Sequence, residues 1–156
     1  MLLSNFRHRR QQHRSDCLVA CADMVLNHLG LSIGYDRLAK LLRAGESFTP
    51  FSRLRYLESL GLFLEAGERG DLSIFTTYIA LGLPIIVGVK TLNWSHWGTI
   101  ITDHAVVVIG IDQEHDTIYI NDPFFVNAPI EMSLIEFEIG WEEKDRQYAI
   151  IGLAPL

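Results

Sequence analysis

The stretch that most constrains this chain is DCLVACADMVLNHLG, residues 16–30. Leu18, Val19, Cys21, Ala22, Met24, Val25, Leu26 and Leu29 recur too densely for a surface helix with one apolar stripe. A helix apolar nearly all round has to be packed on several sides. Asp16 stands where an N-cap belongs, and Gly30 stands where such a helix ends. The remaining elements are therefore expected to wrap around this helix. The 156 residues, 49% of them hydrophobic, suffice for one domain with a proper core.

Downstream, Tyr35 to Arg43 reads as an amphipathic helix, and Thr49-Pro50 opens a further helix, FSRLRYLESLG, with Pro50 at its first position. LFLEA (62–66) is a short strand candidate, and Asp71 caps a helix running to about Leu81. The period then changes. PIIVGVK (84–90), HAVVVIGID (104–112) and TIYIND (117–122) are rich in β-branched residues, and the last two are joined by the hairpin-length QEHD. Ser133 caps a short helix, LIEFEIGW, and YAIIGL (148–153) closes the chain as a strand. Helices first and strands second imply an α+β fold, with a helical half against an antiparallel sheet.

The net charge of −6 argues against general nucleic-acid binding. Charge is uneven: RHRRQQHR (7–14) carries four of the 13 Lys and Arg residues and no acid. This segment is expected to be solvated, with residues 1–10 a flexible arm of a single domain spanning 1–156. No signal peptide is recognisable, because FRHRRQQHRSD interrupts the start before an apolar region forms. The longest apolar run, Tyr78 to Val89, is too short to span a bilayer and contains Gly82 and Pro84. The expected location is cytoplasmic. The loop TLNWSHWGTIITD (91–103) holds two of the three tryptophans and is the strongest candidate for a functional loop.

Cys17 admits four readings. As a metal ligand it lacks a second Cys/His pair. As a redox partner of Cys21 it meets disulfide geometry poorly, because the two lie one turn apart on a helix. As a core thiol it is unremarkable, since free cysteine is commonly buried. As a nucleophile it has a local argument: the first turn of a helix stabilises negative charge and lowers a thiol pKa. That chemistry needs a base, a group orienting the base, and an oxyanion donor. His104 opens one strand and Asp122 closes the next, so antiparallel pairing brings imidazole and carboxylate together. Gln11, six residues before Cys17, is placed to curl its amide back toward an oxyanion beside the Cys17 N–H. One-residue alternatives remain open: Gln12 for Gln11, and Asp103 or Asn121 beside the proposed pair.

Gln11-x5-Cys17, DCLVACADMVL (16–26), HAVVVIGID (104–112) and INDPF (120–124) together resemble the bacteriocin-processing peptidases. That family comprises papain-like cysteine peptidases, found most often as N-terminal domains of peptide-exporting ABC transporters, which cleave leader peptides after a double glycine. The resemblance implies a papain-like fold and a peptide or protein substrate. It makes Cys17 the nucleophile, His104 the base and acid, Asp122 the orienting group and Gln11 the oxyanion donor. It implies no cofactor and no metal. Two features depart from the pattern. Leu18 stands where the family has glycine, and no membrane span or ATP-binding motif follows, so an exporter would be a separate partner. A non-catalytic peptide-binding module and a papain-like amidase or deamidase are the alternatives. Trp94, His96 and Trp97 are expected to line a substrate groove, with His96 a rival base to His104.

Overall fold

The computed structural model describes residues 1–156. Helix α1 (Cys17–His28) is followed by α2 (Tyr35–Leu41), a 3-10 helix (Phe51–Leu60), β1 (Phe63–Gly67), α3 (Ser73–Ala80) and β2 (Ile85–Lys90). A short 3-10 turn (Ser95–Trp97) leads into β3 (Asp103–Asp112), β4 (Thr117–Asn121), β5 (Ile130–Ser133), α4 (Leu134–Glu142) and β6 (Tyr148–Gly152). The six strands form one sheet in the order β1-β6-β2-β3-β4-β5, every neighbouring pair antiparallel. The α+β expectation is met.

The period of two in the central strands sorts the core into two halves. Ile86, Ala105, Val107, Ile109, Ala149 and Ile151 face α1, α2 and the long 3-10 helix. Ile85, Val87, Val89, Val106, Val108, Ile118, Ile120 and Ile150 face the layer built by α3 and α4. A strand flanked by helical layers on both faces reads as a continuous apolar run, which is why VVVIGI shows no polar alternation. Helix α1 buries ten consecutive residues, Cys17 to Leu26, as its sequence requires. Each fully buried leucine, valine or methionine among them contributes about 1.5–3 kcal/mol.

Several local expectations differ from the structure. Asp16 occupies the N-cap position of α1, but its carboxylate makes no cap bond. Oδ1 instead accepts from His13 N at 2.9 Å and Oδ2 from the Tyr35 hydroxyl at 2.8 Å, tying the preceding loop to α2. The segment after Pro50 winds as a 3-10 helix, with Pro50 just before it rather than inside it. Strand β5 has almost no β signal in its four residues, IEMS; pairing with β4 makes it a strand.

Residues 1–10 are not a free arm. Strand β2 pairs with β3 only as far as Ile85 opposite Val108, which leaves the Ile109–Ile111 edge open. The first residues fill it: Leu3 N donates to Ile109 O, and Ile111 N donates to Met1 O. An open strand edge carries unpaired amides and carbonyls that need partners. Farther along, Arg9 lies over the Tyr35 ring and 3.8 Å from Asp23, so part of the basic segment is docked rather than solvated. No helix is long and apolar enough to cross a membrane.

Candidate active site

Register places the first two groups. Val107 lies opposite Asn121, so Asp122 falls one step beyond the last β4 pair and on the diagonal from His104. Diagonal neighbours on one face of an antiparallel pair are within reach of long side chains. His104 Nε2 lies 2.6 Å from Asp122 Oδ1, and both residues are buried. A carboxylate only accepts, so Nε2 carries the hydrogen and Nδ1 is left free.

Cys17, at the first position of α1, lines the same cleft as His104. Its thiol is close enough to His104 to raise the ring's proton affinity. The cleft encloses about 340 Å³, with Gly88 and Ala105 opposite one another on β2 and β3. Leu18, Phe48, Pro50 and Phe51 supply its apolar lining, and the Asp103–Lys144 pair and Gln147 supply its polar lining. Asp103 belongs to this cleft but pairs with Lys144 at 3.3 Å, not with His104. Asn121, the other one-residue alternative, turns its amide to His8 and the Met24 sulfur.

Electrostatics follow from burial and pairing. Burial works against a charged His104 ring, but the Asp122 charge and hydrogen bond, with Cys17 alongside, hold its pKa up at about 9. Burial alone would raise the Asp122 carboxyl; the His104 charge and the donors around it instead keep it well below the usual carboxylate range. Burial, then the neighbouring Cys17 and Asp122, push the Cys21 thiol well above its ordinary value. The two cysteines are both free and both buried, and only Cys17 opens to the cleft.

The other sequence candidates fall elsewhere. Trp94, His96 and Trp97 do not line the Cys17 cleft. Trp94 is fully buried, packed on Phe137, and its indole N–H donates to Glu136 O. Trp97 sets its ring edge-on to His104 at 5.0 Å and donates its indole N–H to Asp122 Oδ2 at 2.9 Å. His96 Nε2 also lies 2.9 Å from Asp122 Oδ2. The 91–103 loop therefore closes behind the His104–Asp122 pair instead of forming a groove in front of it. Glycine at position 140 permits that closure: a Cβ there would overlap the Lys90 carbonyl and the Trp94 indole.

Gln11 is not turned toward Cys17. Its Nε2 donates to His13 O at 2.8 Å and Arg14 O at 3.0 Å, so both amide hydrogens are engaged, while its buried Oε1 has no partner. Its backbone N–H donates to Pro123 O, and His8 Nε2 bonds the Phe125 carbonyl at 2.7 Å. The N-terminal segment thus braces the turn that follows Asp122, a role that composition could not reveal. No group of three or more His, Cys, Asp or Glu side chains is placed to hold a metal ion.

Comparison with solved structures finds this fold in peptidase domains. A chain from Bacillus anthracis described as a C39-like peptidase superposes with a TM-score of 0.76 at 18% identity, covering 96% of each chain. The peptidase domain of Streptococcus ComA, a bifunctional ABC transporter involved in quorum sensing, gives 0.69 at 22% identity, covering 97% of this chain and 100% of that one. A double glycine motif protease from an AMS/PCAT transporter, solved with its leader peptide, gives 0.71 at 16% identity, covering 96% of this chain and 93% of that one. No curated protein matches the sequence. The family model for peptidase C39, in contrast, matches residues 5–145, most of the chain and every group of the cleft up to Lys144, and by that match the chain belongs to the peptidase C39 family.

Proposed function

We propose that this protein is a cysteine peptidase that cleaves a peptide bond in a small peptide precursor, at a leader junction. One observation carries the reading: His104 is clamped through Nε2 on the buried Asp122, which leaves Nδ1 for Cys17 at the start of α1. With a His104 pKa of about 9, imidazolium is the stable form at neutral pH, and a thiolate at a helix N-terminus is its natural counter-ion.

The thiolate of Cys17 attacks the scissile carbonyl carbon, forming a C–S bond as the carbonyl oxygen becomes an oxyanion. His104 Nδ1–H protonates the departing amine, and the C–N bond breaks to leave a thioester. Neutral His104 then removes a proton from water, whose attack releases the carboxylate product and restores the thiolate. The Cys17 amide N–H, one of the donors a helix start leaves unpaired, supports the oxyanion. Gln11 joins it by releasing one of its loop carbonyls, since a charged oxygen is the stronger acceptor.

The ComA and AMS/PCAT relatives are transporter domains, so an ABC-type peptide exporter is the partner this reading expects. The test is incubation with precursor peptides bearing double-glycine and other leader junctions, with products identified by mass spectrometry. Backbone cleavage lost in both Cys17→Ala and His104→Ala supports the proposal. Uncleaved peptide that still binds indicates a binding module, and a one-dalton side-chain change indicates a deamidase.

A further inference from the structure

We propose that His96 is a positioning residue for the Cys17–His104 pair, acting through the far oxygen of Asp122. This rests on the function proposed above and assigns a group that chemistry does not otherwise use.

Asp122 is fully buried and receives four N–H donors. His104 Nε2 and Phe124 N meet Oδ1 at 2.6 and 3.1 Å; His96 Nε2 and Trp97 Nε1 meet Oδ2, both at 2.9 Å. A carboxylate on a single bond can rotate unless both oxygens are held. Phe124 N restrains the first oxygen, and the 91–103 loop restrains the second. Trp97 is wedged among His104, Phe124 and Phe125, and the second loop donor, His96, is held from two sides as well. Its ring is tilted on Trp94 at 5.7 Å and edge-on to Phe125 at 5.0 Å. The preceding Ser95 N–H is held by the Glu136 carboxylate from α4. The turn therefore carries a rigid imidazole to the back of Asp122, and Asp122 hands that rigidity to His104. His96 does not line the cleft, which separates it from a rival base.

Two substitutions isolate the hydrogen bond from packing. His96→Phe keeps a flat ring between Trp94 and Phe125 but removes the donor. His96→Gln replaces the ring with an amide whose Nε2 reaches a similar point. The readout is the rate of Cys17 alkylation by iodoacetamide as a function of pH, with melting temperature measured alongside. The expected result is a loss of about tenfold in the near-neutral rate for His96→Phe, the scale of one hydrogen bond to a charged group, with most of the rate returned in His96→Gln. Equal rates in wild type and His96→Phe overturn the inference, as do equally slow rates in the two variants. A second measurement needs no variant: histidine-labelled wild-type protein shows His96 as the Nε2–H tautomer, and an Nδ1–H tautomer overturns the inference. His104→Ala is the separating control. If it leaves Cys17 reactivity unchanged, the proposed catalytic pair fails; if it abolishes reactivity while His96→Phe does not, only the role of His96 fails.

Discussion

Replacing Asp122 with asparagine tests the electrostatic core of this site. The four donors on Asp122 need two accepting oxygens, and an amide has one. If the amide oxygen keeps His104 and Phe124, its NH2 meets His96 and Trp97. His96 can change tautomer to accept; the Trp97 indole cannot and is left unpaired. The charge that lifts His104 is also gone. His104 rises from 6.5 to about 9, which at ~1.4 kcal/mol per unit corresponds to about 3 kcal/mol of pH-dependent stability. The lowering of Asp122 reflects the same interaction and is counted once. Because the folded His104 pKa is raised, this stability is fully present below about pH 6.5 and is lost as pH rises through about 9. The assay is urea unfolding of wild type and Asp122→Asn at several pH values between about 6 and 10. The difference between the two proteins should shrink by about 2–3 kcal/mol across that range, leaving a pH-independent remainder of about 1–3 kcal/mol from the unpaired indole, offset by the easier burial of an uncharged amide. A difference that does not change with pH would refute the ion-pair account, whatever its size.

Three further expectations use other parts of the molecule. Cys21 should resist alkylation in the native protein and react only in denaturant, read by mass spectrometry, because it is fully buried and its thiol pKa is raised by that burial. Gln11→Ala should lower kcat on a cleaved peptide by about 10- to 100-fold with a smaller change in KM, as expected for a donor used mainly in the transition state; a pure KM effect would place Gln11 in substrate binding instead. Gly140→Ala should destabilise by about 1–3 kcal/mol through overpacking against Lys90 O and Trp94, measured by thermal unfolding, and should also slow Cys17 alkylation because the displaced loop carries His96 and Trp97.

Periodicity and spacing were enough to place some parts of this protein. An all-round apolar α1 had to be central, and antiparallel pairing of two successive strands put His104 and Asp122 at the same end of a hairpin, while the register that chose them over Asp103 and Asn121 includes a bulge between Val108 and Gly110 that spacing does not show. The cysteine at the helix start was legible for the same reason: a helix N-terminus is a local feature with a local field. The rest depends on where distant segments approach one another. Nothing in NWSHWG announces that two of its side chains reach a carboxylate about 25 residues ahead; that follows from α4 packing tightly enough on Lys90 and Trp94 to fold the loop back. Nothing in QQHR shows that Gln11 bonds its own loop, or that the residues before it complete the open edge of β3 and brace the Asp122 turn. Local propensity reports a residue's own backbone, whereas a hydrogen bond between segments depends on how every intervening element packs, and that is settled only when the chain is folded.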